Sequence, residues 1–222
     1  MNEMDLPYRD RRHAGRALAQ RLEQYRGRSG LLVLALPRGG VPVGYEVARA
    51  LAAPLDVCVV RKLGHPGHEE YAIGAIASGG VRVMNPLPDD EIEPAVLAAL
   101  IAREQDELVR RERLYRGNRP AAPLRGRSVI VVDDGLATGA SMRVALEAIR
   151  QQHPALLVAA APVGSPQSCA QLADVADAVV CPATPSPFRA VGLWYREFAQ
   201  VGDDEVRELL EQARLQHALE IH

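Results

Sequence analysis

Lysine is nearly absent from this chain, and cysteine is too sparse to organise it. Among the 26 basic residues of the 222-residue sequence, Lys62 is the single lysine. A lone lysine in a chain that otherwise uses arginine is a candidate functional residue, although chance alone could leave one. The cysteines, Cys58, Cys169 and Cys181, are odd in number, widely spaced and without a CxxC pair. This spacing argues against a disulfide framework, so we expect reduced, mostly buried thiols.

Long hydrophobic runs and an excess of positive charge are also missing. The apolar stretches at 31–36 and 155–164 are far too short to span a bilayer, and the charged N-terminus lacks the apolar segment of a secretory signal. The formal net charge of -2 gives no support for a nucleic-acid or anionic-membrane partner. With 48% apolar residues the chain can bury the core of one α/β domain, and we expect a cytoplasmic protein.

Apolar runs of strand length alternate with segments of helical period along most of the chain. We expect strands at 31–36, 56–60, 128–132, 156–163, 178–181 and 191–195, and a hairpin made of 73–77 and 81–84. We expect helices at 10–24, 43–51, 89–115, 142–150, 167–175 and 203–216, the first of them capped by Asp10. The stretch 61–70 is too polar and glycine-rich for a regular element, so it is predicted to be a loop.

This alternation predicts an α/β fold with a mostly parallel sheet that helices cover on both faces. We expect residues 1–222 to form a single domain, with a helical insertion at about 86–118 and a C-terminal hood and helix at about 182–222. Ligands of such sheets bind at the carboxyl ends of the strands. The loops at 37–40, 61–70 and 133–141 meet that condition.

The loop after the 128–132 strand, called here the acidic loop, has the composition of a phosphate cradle. It contains, in order, Asp133, Asp134, Gly135, Leu136, Ala137, Thr138, Gly139, Ala140 and Ser141. The paired carboxylates are suited to accept hydrogen bonds from the vicinal hydroxyls of a ribose. The glycine N–H groups, the two hydroxyls and the start of the next helix are suited to a phosphate. The alternative is a strand–turn–helix junction with acidic capping residues, but the combination of DD with TGxS favours phosphate binding.

The segment VIVVDDGLATGAS resembles the signature with which type I phosphoribosyltransferases bind 5-phosphoribosyl-1-pyrophosphate (PRPP). Ser141 stands where the family usually has threonine, which keeps the hydroxyl, and Gly135 stands where an aliphatic residue is common. With Asp10-Arg11, RKLG, YRG and VGLWYREF, the chain is similar to a little-characterised bacterial branch of that family. The resemblance implies the type I fold and transfer of phosphoribose with release of pyrophosphate. It also implies Mg²⁺, held mainly through oxygens of the substrate.

A second loop, PRGG, lies between the first core strand and a helix and is called here the PRGG loop. It consists of Pro37, Arg38, Gly39 and Gly40. It resembles the pyrophosphate loop of the xanthine-guanine enzymes, in which glycine N–H groups face pyrophosphate and an arginine neutralises its charge. That resemblance implies a cis peptide between Pro37 and Arg38. The alternative is an ordinary β-to-α turn with an exposed arginine.

Arg61 and Lys62 lead into the 61–70 stretch, which looks like the mobile catalytic loop of orotate-type members. The resemblance implies a lid over the site, with Lys62, Arg38 and Arg61 stabilising the departing pyrophosphate. Tyr71 could pack against the closed ligand or anchor the loop. The string His68-Glu69-Glu70 does not form an HExxH motif, which argues against zinc.

The acceptor-binding residues are the least determined part of the site. Phe188, Trp194 and Tyr195 lie in SPFRAVGLWY, which loosely resembles the segment that stacks a purine in hypoxanthine-type members. Stacking on a base and packing between the last strand and helix are equally good interpretations. The arginine cluster at 110–116 is either a solvated helix end or a site for an anionic acceptor or a neighbouring subunit.

Two functions of different class follow from these features. The first is a Mg²⁺-dependent phosphoribosyltransferase that acts on PRPP and a small-molecule acceptor, with a nucleobase as one candidate. The second is a PRPP- or nucleotide-sensing regulator that kept the fold and lost turnover, a class in which some relatives bind RNA. The Arg61-Lys62 loop favours catalysis, and the balanced charge argues against RNA. We expect a homodimer or a larger homo-oligomer.

Overall fold

The computed structural model describes residues 6–84 and 92–220. Within them the strands are β1 (Leu31–Ala35), β2 (Leu55–Val57), β3 (Val60–His65), β4 (His68–Ala77), β5 (Val81–Met84), β6 (Ser128–Val132), β7 (Leu156–Ala160) and β8 (Ala178–Val180). The helices are α1 (Arg11–Arg21), α2 (Gly40–Leu51), α3 (Pro94–Arg116), α4 (Ala140–Arg150), α5 (Pro166–Leu172) and α6 (Asp203–Glu220). Short 3₁₀ turns lie at Glu23–Tyr25 and Val191–Trp194. No helix in these ranges is long and apolar enough to cross a membrane.

The main sheet has the strand order β2-β1-β6-β7-β8, and all its neighbouring strands are parallel. Side chains of β6 point alternately to two cores: Val129 and Val131 pack with α4 and α5, while Ile130 and Val132 pack with α1 and α2. All four are fully buried, as expected for a strand covered on both faces. The predicted α/β fold is confirmed.

A second sheet overturns the prediction of a loop at 61–70. Strands β3, β4 and β5 form an antiparallel sheet in that order, so the hairpin expected at 73–77 and 81–84 is extended by β3. The buried side chains of Leu63, Ile73 and Ile76 share a core with α3 and α6 and supply the driving force for the strand pairing. Polar and glycine residues concealed this pattern in the sequence. Tyr71 was expected to pack against the closed ligand or to anchor the loop. Its side chain belongs to the range 69–72, whose side chains lie outside the described part of the structure.

The strand expected at 56–60 is divided between the two sheets. The Cys58 N–H still bonds the Ala35 carbonyl of the main sheet at 3.0 Å. One residue later, the Val59 N–H bonds the Ser78 hydroxyl at 2.9 Å, and the Ser78 N–H bonds the Val59 carbonyl at 2.8 Å. The chain therefore leaves the main sheet at this point and enters the second one as β3.

The prediction of a strand at 191–195 is also wrong, because Val191–Trp194 is a 3₁₀ turn. A Cβ added at Gly192 would lie 2.9 Å from the Phe198 ring, and the Trp194 carbonyl accepts a hydrogen bond from the Tyr8 N–H at 2.8 Å. The apolar side chains are thus used for packing against the N-terminal segment rather than for pairing in a sheet. The helix expected at 89–115 is present as α3, which contacts β3, β4 and α6; residues 85–91 lie outside the described part.

The cysteines are free, as expected, but two of them are neighbours. Cys169 of α5 and Cys181 after β8 each have a sulfur 3.1 Å from the position of a Cβ added at Gly164, and both are only half-buried. Cys58 matches the expectation better, since it is buried and burial raises its thiol pKa to about 12.

Asp10 caps α1 as predicted, and its carboxylate accepts a hydrogen bond from the His13 N–H at 2.7 Å. We expect Asp10→Ala to lower the free energy of unfolding by about 1 kcal/mol, because that N–H loses its partner. In a chain of this size the change lowers Tm by about 2–4 °C, which differential scanning fluorimetry measures. Asp204→Ala is the control, since that carboxylate is exposed and, within the described residues, bonds Arg207 of its own helix. An equal Tm for Asp10→Ala and the parent would contradict the cap.

Candidate functional site

The acidic loop and the PRGG loop meet at one edge of the main sheet. They follow β6 and β1, which are parallel neighbours, so the two loops leave the sheet side by side. A Cβ added at Gly39 would lie 2.1 Å from Asp134 Oδ2, and one added at Gly40 would lie 2.7 Å from the Val132 carbonyl oxygen. Only glycine permits this approach. The peptide between Pro37 and Arg38 is cis, as the resemblance implied.

Asp134 is held by a residue that the sequence did not single out as part of the site. Arg11, the first residue of α1, places its Nε 2.7 Å from Asp134 Oδ2. The same guanidinium donates to the Ala199 carbonyl at 2.7 Å and lies 3.8 Å from the centre of the Phe198 ring. The Asp10 cap fixes where α1 begins and therefore where Arg11 points, but nothing local in the sequence indicated its partner.

The two adjacent carboxylates are electrostatically costly in this position. Burial raises the pKa of Asp133 well above its ordinary value, and the negative charge of Asp134 raises it further. Burial also raises the pKa of Asp134, and the hydrogen bond and charge of Arg11 partly offset that rise. The Asp133 carboxylate accepts the Asp134 N–H at 2.9 Å. A partly buried acidic pair with perturbed pKa values at a strand end is typical of a ligand site.

The middle of the acidic loop is hydrogen-bonded to the segment that follows β7 and to the start of α5. The Leu136 N–H bonds the Val163 carbonyl at 2.9 Å, the Ser165 N–H bonds the Leu136 carbonyl at 2.8 Å, and the Leu136 side chain is buried. Ser168 donates its hydroxyl proton to the Ala137 carbonyl at 2.6 Å. Leu136, expected among the ligand-binding residues, therefore has its backbone groups and side chain committed to support of the loop.

Beyond Leu136 the loop is open to solvent and leads into a helix. Thr138 and Ser141 are exposed, and Gly139 has a φ of +69°, a conformation that favours glycine. The helix α4 begins at Ala140, two residues earlier than expected, and its first-turn N–H groups lack intrahelical partners. Two exposed hydroxyls and a helix N-terminus thus lie together, as an anion site requires.

One of the three residues expected to stabilise pyrophosphate is found among the described residues that line the cleft beside Asp134. Arg38 lines a cleft of about 390 Å³ together with Arg11, Gly39, Asp134, Phe198, Gln200 and Val201. Arg61 and Lys62, both on β3, are absent from the described lining of that cleft. Arg61 instead makes an ion pair with Glu104 of α3, with nitrogen–oxygen distances of 2.6 and 3.0 Å. The Lys62 side chain is exposed.

The aromatic residues of the C-terminal segment form the wall behind the acidic pair. Tyr195 is buried, donates its hydroxyl proton to the Asp134 carbonyl and stacks on Phe198 at a centroid distance of 5.0 Å. Phe188 and Trp194 stack on each other at 6.2 Å within a cluster that includes residues of the N-terminal segment. These contacts support the packing alternative for Tyr195. Phe188 and Trp194 are half-buried beside it, and their contacts do not decide between packing and stacking on a base.

The arginine cluster at 110–116 is largely paired within the chain. Arg110 and Arg111 both bond Glu107, the side-chain pattern of a solvated helix surface. Arg116 is 7% exposed and bonds both carboxylate oxygens of Asp56 at 2.8 and 3.0 Å. The pairs of Arg110 and Arg111 favour a solvated helix end over an anion site, whereas Arg116 is held in a buried ion pair that neither interpretation foresaw.

One protein family matches most of the chain. A family model described as a phosphoribosyl transferase domain matches residues 9–191. Rv0571c of Mycobacterium tuberculosis, whose curated name assigns it provisionally to the phosphoribosyl transferases, is 48% identical over 209 residues. That match covers 92% of this chain but 46% of the relative, so the chain spans about half the length of the curated protein. The crystal structure of TT1426 from Thermus thermophilus has a TM-score of 0.81 at 44% identity, covering 92% of this chain and 98% of that one.

Proposed function

The chain belongs to the phosphoribosyl transferase family, and we propose that it transfers the phosphoribosyl group of PRPP to a small-molecule acceptor, releasing pyrophosphate. A nucleobase is the acceptor class to test first. The observation that carries the proposal is the close approach of Gly39 to Asp134 Oδ2, which would lie 2.1 Å from an added Cβ. It supports a single site in which the PRGG loop and the acidic loop address adjacent parts of one ligand.

In this proposal the parts of PRPP are divided among the described elements. The carboxylates of Asp133 and Asp134 accept hydrogen bonds from the ribose hydroxyls. The hydroxyls of Thr138 and Ser141 and the start of α4 hold the 5-phosphate. The N–H groups of the PRGG loop and the Arg38 guanidinium face the pyrophosphate.

The reaction forms a bond from the acceptor to the anomeric carbon and breaks the bond from that carbon to pyrophosphate. Its transition state has oxocarbenium character, so the protein needs to position the acceptor, stabilise the leaving charge and exclude water. Mg²⁺, which we propose as the cofactor, supplies further charge neutralisation at pyrophosphate. No group of three or more possible metal-binding side chains occurs among the described residues. We propose that substrate oxygens and water would hold most of the coordination positions of the cation.

One observation favours the second candidate, a PRPP-sensing regulator. The expected lid is a β-hairpin packed on α3, and Arg61 is tied to Glu104 at 2.6 Å. An arginine engaged in this way needs to break its ion pair before it can reach a leaving group. The argument for turnover that rested on a mobile Arg61-Lys62 loop is therefore weaker than the sequence suggested.

A pyrophosphate-release assay separates the two candidates. PRPP and Mg²⁺ are incubated with the protein and a panel of purine bases, pyrimidine bases and amines. We expect release that depends on one class of acceptor and is absent from an Asp133→Asn/Asp134→Asn protein. Tight PRPP binding without turnover on any acceptor would favour the regulator, and no PRPP binding at all would rule out both.

A further inference from the structure

We propose that Arg11 is a positioning residue, which fixes the Asp134 carboxylate and supplies the positive charge that the acidic pair needs to accept ribose hydroxyls. This inference rests on the proposed function, since it concerns how the same site binds PRPP. It assigns a role in ligand binding to α1, an element that lies more than a hundred residues from the acidic loop in sequence.

The Arg11 guanidinium is fixed by contacts with three separate groups. Its Nε bonds Asp134 Oδ2 at 2.7 Å, a terminal nitrogen bonds the Ala199 carbonyl at 2.7 Å, and the group lies 3.8 Å from the Phe198 ring centre. The side chains of Arg11 and Asp134 are 11% and 14% exposed, so water competes weakly for the bond. The bond uses Oδ2, and the planar geometry leaves Oδ1 as an acceptor.

The charges around the acidic pair make Arg11 the main compensating group. Arg11 faces Asp133 and Asp134 from α1, Arg38 shares the cleft from the PRGG loop, and Tyr195 donates to the Asp134 carbonyl from the C-terminal segment. The Arg11 charge lowers the pKa of both carboxyls, against the rise caused by burial. A protonated carboxyl is a poorer acceptor than a carboxylate.

The direction of the pH effect follows from these signs. Burial already places the pKa of both carboxyls above the ordinary value, so acid weakens ligand binding by protonating them. Without Arg11 the pKa values rise further, and binding is lost at a higher pH than in the parent. A merely structural loss would lower affinity by the same factor at every pH.

Arg12 provides a matched control on the same helix. Its Nε bonds Glu46 Oε1 at 2.8 Å and its guanidinium lies 5.0 Å from the Tyr45 ring centre, so it repeats the carboxylate and ring contacts of Arg11 away from the cleft. Arg12→Met removes an ion pair and a ring contact without touching the acidic pair. The phosphates of PRPP titrate in the same way with every variant. Comparing Arg11→Met with Arg12→Met therefore cancels their contribution to the pH dependence of binding.

The test measures PRPP affinity by calorimetry in the presence of Mg²⁺ across pH for the parent, Arg11→Met, Arg11→Lys and Arg12→Met. We expect Arg11→Met to weaken binding at pH 7 by about tenfold or more and to move the acid limb to higher pH. Arg11→Lys should restore the position of that limb in part, and Arg12→Met should match the parent. Parental affinity and pH profile in Arg11→Met would overturn the proposal, as would an equal loss at every pH in both Arg11 variants.

A second measurement needs no ligand and keeps the two proposals separate. Carbon-13 NMR of the aspartate carboxyls follows the titration of Asp133 and Asp134 in the parent and in Arg11→Met. We expect the pKa of the pair to rise in the variant, and an unchanged titration would overturn the role of Arg11. If the pKa rises but the parent binds no PRPP, the proposed donor is wrong while the coupling between Arg11 and the acidic pair stands.

Discussion

Replacing Asp133 and Asp134 together with asparagine is expected to abolish measurable PRPP binding and to leave the fold intact. Hydrogen bonds that involve a charged group contribute about 1.5–3 kcal/mol each, so losing two of them weakens binding by about 100-fold or more. Asparagine keeps the volume of both side chains and their contacts with the PRGG loop. Calorimetry with PRPP and Mg²⁺ measures the affinity, and far-UV circular dichroism checks the fold.

The Asp133→Asn/Asp134→Asn variant is also expected to be at least as stable as the parent at pH 7. The folded pKa of each carboxyl is raised, so the native state binds protons more tightly than the unfolded chain. The parent therefore loses stability as the pH rises from the ordinary aspartate value of about 3.9 through the folded pKa values. Asparagine cannot ionise, so the variant keeps that stability, and at pH 7 its Tm should be equal or higher.

Asp204→Asn is the control for the removal of a charge, because that carboxylate is 84% exposed and lies at the start of α6. It should bind PRPP like the parent. Unchanged PRPP affinity in the Asp133→Asn/Asp134→Asn protein would remove the acidic pair from the binding site.

The second large effect is expected from one added methyl group. In Gly39→Ala the new Cβ would lie 2.1 Å from Asp134 Oδ2 and 2.7 Å from its Cγ, so the carboxylate has to move. Moving it breaks the bond to Arg11 and displaces the proposed acceptor for the ribose hydroxyls. We expect PRPP affinity to fall by roughly 10–100-fold, the loss of one charge-assisted hydrogen bond, measured by calorimetry.

Gly202→Ala is the matched control, since a Cβ added there meets nothing within 4 Å. It should leave the PRPP affinity at the parental value. Parental affinity in Gly39→Ala would mean that the two loops do not share a ligand.

The main sheet could be predicted from the sequence because its strands carry their own signal. Ser128–Val132 is apolar and rich in valine, and both faces of a parallel strand are buried, so its limits are visible without tertiary information. The acidic loop and the PRGG loop followed, because a parallel sheet brings the carboxyl ends of its strands to one edge. The apolar pattern of the strands was therefore enough to predict where these two loops lie.

The second sheet and the Arg11 contact could not be predicted in this way. β3 looks polar because only Leu63 among its residues is fully buried, and its pairing depends on the core that it shares with α3. Arg11 meets Asp134 across 123 positions and Ala199 across 188, distances at which a single sequence carries no pairing signal. Arg61 illustrates the same limit, since its partner Glu104 lies on a helix 43 positions away.

The wall of Tyr195, Phe198 and Ala199 around Asp134 has a consequence for synthesis on the ribosome. Chains emerge N-terminus first, so β1, β6 and β7 are translated before this wall. Until then the acidic pair is open to water, and Arg11 lacks its contacts with Phe198 and Ala199. Under the proposed function, PRPP would stabilise the finished protein by mass action, and its site would be complete only after this wall has been translated.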